Sequence, residues 1–414
     1  MKKIIILIVC FLRLTFCEAQ NMVLLNNEST GTKEEETVLL SPSGKVLKTF
    51  TGIDIKMKSE DMICAIDLKT KKLGYLSAVT GNWVIQPQFK NVYNPSGFSE
   101  GLVVIKSEIS DGVTKSAVYD KTGKLILPFC DWDISDYSDG MAIVEKPGYQ
   151  FGAIDRTGKL VVPFSVGKLN NFINGVASKG NNKEYVDDYA EDTGLWGFMD
   201  KTGKMVVPQE WSWVSNFSEG VASVKNKEKK WGFINTSGKL VISCIYESAG
   251  AFSEGFSAVT ISSGKDKGMM SFIDKNGKRA TSQEFDVARE FVDGMAAVVK
   301  ITKSGEDEED YQFGFIDKNF KLVIPIAHHK ANSSGYYIQY FSFSDGLCPT
   351  TKGYINKSGK LVITFPDAEK MTFEPFSNGT ALITIFLGES TKDYLIDKTG
   401  KILWKSGPHA LKAG

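Results

Sequence analysis

Histidine is scarce in this chain of 414 residues, which contains three. They are His328, His329 and His409; the first two are adjacent in a connecting segment and the third lies near the end. A histidine-based nucleophilic triad or a histidine-rich metal site therefore has little support, and we expect surface histidines. No glycine-rich loop follows a strand and opens a helix, so no nucleotide cofactor is expected.

A net charge is also lacking, because Lys and Arg together number 49 and Asp and Glu together number 49. Such a balanced surface creates no strong field for nucleic acid or for an anionic membrane. Beyond the first residues there is no apolar run long enough to span a bilayer, so we expect no transmembrane span in the mature chain.

The first 19 residues have the pattern of a signal peptide. Lys2 and Lys3 precede an apolar run that begins at Ile4, and Cys17-Glu18-Ala19 places small residues at both recognition positions. This pattern predicts cleavage after Ala19 and export to the periplasm, the outer cell surface or the medium. A lipid anchor on Cys17 is the alternative, disfavoured because bulky Phe16 precedes it.

Cysteine is sparse in the predicted mature chain, which retains Cys64, Cys130, Cys244 and Cys348. No two of them are close enough in sequence for a zinc knuckle or a redox pair. Export would permit disulfides, but we expect small side chains buried in strands.

One sequence block recurs along the chain. Its complete form runs from Trp196-Gly197-Phe198 through a turn, Asp200-Lys201-Thr202-Gly203, to an apolar stretch that ends at Pro208. The spacing of the copies is about 40 residues, which indicates a tandem repeat. The turn glycines are Gly81, Gly123, Gly158, Gly203, Gly238, Gly277, Gly359 and Gly400, and one further copy has Phe320 in that place.

A second block follows each of the first eight copies. Its full form is Phe217-Ser218-Glu219-Gly220 followed by Val221-Ala222-Ser223-Val224, and in five consecutive copies its glycine lies seventeen residues after the turn glycine. We call Phe-Ser-Glu-Gly the corner. The corner glycines are Gly101, Gly140, Gly175, Gly220, Gly255, Gly294, Gly346 and Gly379.

Each unit is predicted to be a three-stranded antiparallel β-structure. Asp200 opens a type I turn by accepting hydrogen bonds from nearby amides, and Gly203 closes it in the left-handed conformation. Phe320, lacking that freedom, predicts a different turn in its unit. Because the strands are apolar on both faces, each unit must stack against its neighbours. We expect an all-β tandem array, open and curved, with a closed β-propeller as the alternative.

The repeat resembles the WG repeat family, also called KWG repeats, of bacterial proteins. Trp196-Gly197 and Lys230-Trp231-Gly232 carry the name, and the resemblance covers about residues 61–406. It implies a β-rich tandem array and little about activity, because the family largely lacks an assigned function.

The resulting division of the chain has four parts. Residues 1–19 are the signal peptide, residues 20–60 a disordered segment followed by a worn hairpin that caps the array, residues 61–406 the repeat array, and residues 407–414 a frayed tail. The disorder is expected for residues 20–36, which are polar and rich in glutamate.

Recurrent carboxylates do not predict an enzyme. Asp200 and its counterparts share one turn position, where Asn235 and Asn356 substitute, and a capping role tolerates asparagine whereas acid–base catalysis does not. Glu219 and its counterparts share the corner, where Asn174 substitutes. No pair of carboxylates outside the repeat phase is evident, so we expect no catalytic, metal or cofactor-binding residues.

The candidates for ligand binding are aromatic residues that do not recur at a fixed position of the repeat. Most lie in the connector, the segment between the last strand of a unit and the next corner, and packing across that connector is the simpler explanation. The candidates are Trp132, Trp211, Trp213, Tyr336, Tyr337 and Tyr340. Two acidic insertions, residues 187–192 and 306–310, are expected to be solvated loop tips, because their spacing does not match a known calcium loop. We therefore expect an exported, non-enzymatic protein that binds protein or polysaccharide, with a carbohydrate-active enzyme as the alternative.

Overall fold

The computed structural model describes residues 23–27, 36–110, 113–182, 194–265, 267–303, 309–331, 342–388, 390–406 and 409–410. Within these residues the chain forms ten antiparallel sheets, named A to J in chain order. A short 3-10 helix, Ala368–Lys370, precedes the last sheet.

The strands of the first five sheets follow. Sheet A contains β1 (Val23–Asn27), β2 (Glu36–Leu40) and β3 (Val46–Phe50); sheet B contains β4 (Ile53–Ser59), β5 (Met62–Asp67), β6 (Lys72–Ser77) and β7 (Trp83–Phe89); sheet C contains β8 (Leu102–Ser110), β9 (Val113–Asp120) and β10 (Leu125–Cys130); sheet D contains β11 (Asp133–Ile134), β12 (Met141–Lys146), β13 (Gln150–Asp155) and β14 (Leu160–Val166); sheet E contains β15 (Val176–Gly180), β16 (Trp196–Asp200) and β17 (Met205–Trp211).

The other five sheets follow the same scheme. Sheet F contains β18 (Trp213–Val214), β19 (Val221–Lys225), β20 (Trp231–Asn235) and β21 (Leu240–Tyr246); sheet G contains β22 (Ser248–Ala249), β23 (Phe256–Thr260) and β24 (Met270–Asp274); sheet H contains β25 (Val287–Val292), β26 (Met295–Lys303), β27 (Glu309–Asp317) and β28 (Leu322–Ala331); sheet I contains β29 (Leu347–Thr350), β30 (Gly353–Asn356) and β31 (Leu361–Thr364); sheet J contains β32 (Met371–Phe373), β33 (Thr380–Leu387), β34 (Ser390–Asp397), β35 (Ile402–Lys405) and β36 (His409–Ala410), which pairs with β34.

The structural unit is offset from the sequence unit. The strand after each corner pairs with the Trp-Gly strand that follows it in the chain, as β19 pairs with β20. A sheet therefore begins at a connector and corner and ends with the return strand, as β21 ends sheet F. The sequence block that starts at Trp-Gly thus begins in one sheet and finishes in the next.

The predicted turn is present with its hydrogen bonds. Asp200 Oδ1 accepts from the Thr202 amide at 2.9 Å and from the Lys204 amide at 3.1 Å. Asn235 Oδ1 accepts from the corresponding amides of Ser237 and Lys239 at 3.1 and 3.0 Å. Asparagine and aspartate are therefore equivalent at this position, as expected for a capping role.

The expectation that the Phe320 unit turns differently is wrong. Phe320 has a φ of 59° and occupies the left-handed position that glycine has elsewhere, and its amide donates to the Asp317 carbonyl at 2.9 Å. The phenyl ring lies 5.0 Å from the ring of Phe256 and 5.7 Å from that of Phe272. Packing of the ring on the preceding sheet offsets the backbone strain.

Each sheet packs against the next through a cluster of buried apolar side chains, and ten such clusters join the ten sheets of the described residues. In sheet F, Ile234 packs toward sheet E and Phe233 packs toward sheet G. Cys64, Cys130, Cys244 and Cys348 are free thiols that lie in or against four different clusters. This distribution accounts for their absence from any disulfide.

The tenth cluster closes the array. Val38 and Leu40 of sheet A pack against Leu382 and Leu395 of sheet J. The all-β repeat array is confirmed, and it is a closed β-propeller in place of the open curved form that we expected first. The N-terminal hairpin is therefore a full sheet that closes the ring rather than a cap on an open end.

Two further expectations about the ends do not hold. Val23–Asn27, within the segment expected to be disordered, form β1 and pair with β2. His409–Ala410, within the expected frayed tail, form β36. The other two histidines, His328 and His329, lie in β28 rather than in a connector.

Candidate functional site

The corner carboxylates join neighbouring sheets. Glu100 Oε2 accepts a hydrogen bond from the Gly140 amide at 2.8 Å, so the acid of one corner holds the glycine of the next corner. Glu219 holds Gly255 in the same way at 3.1 Å, and the Ser218 hydroxyl donates to the Phe252 carbonyl at 2.7 Å. These contacts give the corner motif a structural role between neighbouring sheets.

Most corner carboxylates also meet a cation from the turn of the following sheet. Lys201 Nζ lies 2.6 Å from Asp139, and this ammonium lowers the pKa of the carboxyl. Sheet E has Asn174 in place of the acid, and its amide donates to the Phe217 carbonyl at 3.3 Å. The turn of sheet F correspondingly has Thr236 in place of the cation, so the acid and the cation are both replaced at the junction of sheets E and F.

The segments between return strand and corner converge on one open groove of about 500 Å³. Its lining comes from four consecutive sheets, C to F, and mixes charged, amide and apolar side chains. We call it the polar groove, and its lining residues are Lys106, Asp133, Ser135, Ile143, Glu145, Phe151, Lys168, Leu169, Asn170, Asn171, Ile173 and Asn216. The edges of these sheets that carry the segments before the corners therefore lie close together. Many of the strands that follow the Asp-Lys-Thr-Gly turns, by contrast, expose apolar side chains.

Two carboxylates of the polar groove lie opposite each other. Asp133 in β11 pairs with Glu145 in β12, which places the two side chains on the same side of sheet D. Asp133 forms an ion pair with Lys106. Burial raises the pKa of Glu145, and the negative charge of Asp133 adds to this effect.

A buried lysine supports the connector of sheet E. The ammonium of Lys179 donates to the Val166 carbonyl at 3.1 Å and to the Gly167 carbonyl. The Asn170 amide nitrogen donates to Ser178 Oγ at 2.7 Å. These bonds fix the segment from which Lys168 enters the polar groove.

Two of the predicted aromatic candidates are packing residues. Trp132 is half-buried with its ring 5.5 Å from that of Phe164, and Lys146 Nζ lies 4.0 Å from the Phe164 ring. Trp211 lies opposite Trp196 in sheet E and packs on the cluster between sheets E and F.

Trp213 differs from these two because 43% of it is exposed. Its ring lies 5.0 Å from that of Trp231, inclined by 59°, and Lys225 lies directly between them in the strand register. Lys225 Nζ is 5.9 Å from the Trp231 ring centroid. We call Trp213, Lys225 and Trp231 the Trp213 cluster.

Asp133, Lys168 and Trp213 occupy one structural position in sheets D, E and F. Each lies seven residues before the corner glycine of its sheet, is exposed, and is followed by a buried apolar residue. We call these three residues the variable row. The polar groove and the Trp213 cluster are therefore neighbouring parts of one surface. At the variable row of this surface the type of residue differs from sheet to sheet.

The remaining candidates lie outside the described residues. They are Tyr336, Tyr337 and Tyr340, the acidic insertion at residues 187–192, and residues 306–308 of the second insertion. Residues 309 and 310 of that insertion begin β27.

No group of three or more His, Cys, Asp and Glu side chains is arranged to hold a metal ion in the described part of the chain. Across the same residues, no helix is both long enough and apolar enough to cross a membrane.

Sequence reasoning missed Asp133, Glu145, Lys168 and Asn216 as a set. The signal for Asp133 and Lys168 was present in the fixed distance to the corner, because the seventh residue before each corner glycine changes from sheet to sheet. This spacing identifies equivalent positions in neighbouring sheets once the strand register shows which residues stand opposite each other.

Comparison with known proteins supports the repeat assignment. The family model described as the WG-containing repeat matches residues 74–108, 151–178, 196–230, 231–263 and 270–300. No curated protein matches the chain.

Several solved structures are similar in backbone form. BamB from Moraxella catarrhalis is 11% identical with a TM-score of 0.34, and the match covers 72% of this chain and 97% of that one. AztD from Citrobacter koseri is 12% identical with a TM-score of 0.33, covering 95% of each chain. A prolyl endopeptidase is 12% identical with a TM-score of 0.31, covering 72% of this chain and 52% of that one.

Each matched segment begins at or beside the Trp-Gly position and runs through a turn and a corner into the next strand. These are the boundaries that the recurring sequence block has on its own. The chain thus carries WG-containing repeats, and its sheets form a closed β-propeller.

Proposed function

We propose that the protein is a non-enzymatic binding protein and that the polar groove, with the variable row, binds a polysaccharide. Sugar hydroxyls require donors and acceptors at close spacing, and the groove supplies Ser135, Asn171 and Asn216 together with charges of both signs. Apolar sugar faces require an exposed ring, and Trp213 supplies one at the neighbouring position.

The observation that carries this proposal is that the polar and charged residues of the groove lie outside the repeated motif, to which only the apolar lining residues Ile143, Phe151 and Ile173 belong. A site built from motif residues would recur around the ring and would not distinguish one sheet from another. The polar groove draws different side chains from four consecutive sheets, as a site for one extended ligand requires.

Export is part of the proposal. The first 19 residues have the pattern of a signal peptide and lie outside the described residues, and cleavage after Ala19 would place the protein where extracellular polysaccharides occur. The bounds of the signal peptide at residues 1–19 and of the repeats at residues 61–406 remain a proposal in the same sense. No partner among nucleic acids is proposed, because the overall charge is balanced.

Affinity gel electrophoresis of the full chain against a panel of soluble polysaccharides tests the proposal. We expect at least one polysaccharide to retard the protein, and Asn171→Ala combined with Asn216→Ala to weaken binding about fivefold or more. Asn276→Ala, an exposed amide in a turn of sheet G, is the matched control. If no polysaccharide of the panel retards the protein, and a protein partner binds the same groove instead, polysaccharide binding is ruled out.

A carbohydrate-active enzyme is the second candidate, and the facing pair Asp133 and Glu145 favours it. Glycosidases use two carboxyl groups that flank the scissile bond, one protonated and one ionised. Burial raises the pKa of Glu145 while Lys106 pairs with Asp133. Release of reducing ends from a bound polysaccharide, abolished by Glu145→Gln with binding retained, would establish the enzyme; binding without release supports the first proposal.

A further inference from the structure

We infer that the Trp213 cluster is a subsite for a sugar that carries a carboxylate, so that the bound polysaccharide contains uronic acid. This inference rests on the proposed function. It is carried by the juxtaposition of an exposed indole and the ammonium group of Lys225, which stands opposite it in the strand register.

The indole is held ready for stacking. Trp231 supports Trp213 at a ring distance of 5.0 Å, while 43% of Trp213 remains exposed. The apolar face of a pyranose ring covers such a surface without disturbing the fold, because Val214, the next residue, anchors the strand in the core. A preformed platform of this kind limits the entropy lost on binding.

The charge beside the indole is positive. Lys225 stands opposite Trp213 in the register, and Lys168 occupies the variable row in the adjacent sheet E. Lys225 forms no ion pair within the described part of the chain, whereas Lys168 lines the polar groove together with the carboxylate of Glu145. The neighbouring carboxylate of Glu247 is already paired with Lys230 at 2.9 Å.

A carboxylated sugar satisfies both halves of this arrangement. Its ring stacks on Trp213 while its carboxylate accepts a charge-assisted hydrogen bond from the ammonium group of Lys225. A neutral sugar would stack equally well but would offer no carboxylate to that ammonium group. The geometry therefore favours a sugar with a free carboxylate over the same sugar without one.

The experiment compares polygalacturonate with its fully methyl-esterified form, which differs only in having no free carboxylate. Isothermal titration calorimetry of the full chain measures both affinities at low and at high salt. We expect polygalacturonate to bind about fivefold or more tightly than the ester, and this preference to shrink at high salt.

Two variants locate the preference. Lys225→Gln should remove it, and Trp213→Ala should weaken binding of both forms, with Trp213→Phe recovering part of the affinity. Lys239→Gln, an exposed lysine in the turn of the same sheet, should leave the preference intact. Melting temperatures identify any variant that fails to fold, and Trp213→Phe then replaces Trp213→Ala.

The outcomes separate the two levels of the proposal. Equal binding of the two forms, or a preference that survives Lys225→Gln, overturns the uronic-acid subsite and leaves polysaccharide binding in place. Binding of neutral polysaccharides alone has the same meaning. Failure to bind any polysaccharide in the panel overturns the subsite and the proposed function together.

Discussion

Lys179 provides a test of the link between a buried charge and the groove it supports. The residue is 4% exposed, and its ammonium donates to the carbonyls of Val166 and Gly167. Burial lowers its pKa from the ordinary 10.5 to about 8. The folded protein therefore holds a cation in a place that disfavours the charged state.

The sign of the stability effect follows from proton binding. Between about pH 8 and pH 10.5 the unfolded chain keeps the proton on Lys179 while the folded chain loses it, so stability rises with pH in this window. Below about pH 8 both states are protonated and the full cost of the charge is present. The difference between the pKa values of Lys179 in the folded and unfolded states corresponds to about 3 kcal/mol at most.

The substitution that isolates this effect is Lys179→Met, which keeps the length of the side chain and removes the charge. We expect the stability of the variant relative to the wild type to fall by up to about 3 kcal/mol as pH rises from 7 to 11. Urea unfolding at several pH values measures this difference, and subtraction removes the titration of all other groups. Lys239→Met is the exposed control and should show a flat difference.

A flat difference for Lys179→Met would refute the reasoning, because it would mean that folding leaves the pKa of the lysine at its ordinary value. The same variant should also weaken ligand binding in the polar groove, since the carbonyls of Val166 and Gly167 lose their donor beside Lys168. Unchanged binding would separate the buried charge from the groove.

Three further predictions concern the turns and the N-terminus. Gly203→Val should cost about 1–3 kcal/mol in unfolding free energy, because its φ of 88° strains a β-branched residue, whereas Asp200→Asn should be nearly silent in the same urea titration. Phe320→Gly relieves backbone strain but loses the ring contacts with Phe256 and Phe272, so we expect a net loss of about 1 kcal/mol; a stabilised variant would contradict this. N-terminal sequencing of the exported protein should begin at Gln20, and a lipidated Cys17 would exclude cleavage after Ala19.

The strands and turns were predictable because they depend on local chemistry. Asp200 and Gly203 meet the needs of one tight turn, and the apolar run after Gly203 has no other use than a buried strand. Closure of the ring was not predictable in this way. It depends on contacts such as Leu40 with Leu395, residues from opposite ends of the chain that no sequence spacing relates.

The Phe320 turn shows a second limit. The strain of a left-handed phenylalanine, taken alone, predicts another turn. The ring of Phe256, from the preceding sheet, stabilises the strained conformation through a contact that only the assembled ring provides. Local rules state the cost of a conformation, whereas tertiary packing decides whether that cost is met.

The candidate site was predictable in principle but not in its members. Aromatic residues that do not recur with the repeat were the predicted candidates. Of these, Trp213 is exposed, whereas Trp132 and Trp211 pack against their neighbours. Charged residues such as Asp133 and Lys168 carried no comparable signal, since charges are common on any surface. Their significance arises from a shared position that the strand register reveals.

The variable row also explains why a repeat protein can be specific. Corners and turns are fixed by bonds between neighbouring sheets, as Glu100 is fixed by Gly140, so substitution there costs stability in every sheet. The seventh residue before the corner glycine takes no part in the corner bonds and is exposed beside a buried neighbour. Asp133, Lys168 and Trp213 can therefore differ freely while the fold stays the same, and the chemistry of the bound ligand is set at the positions that folding leaves unconstrained.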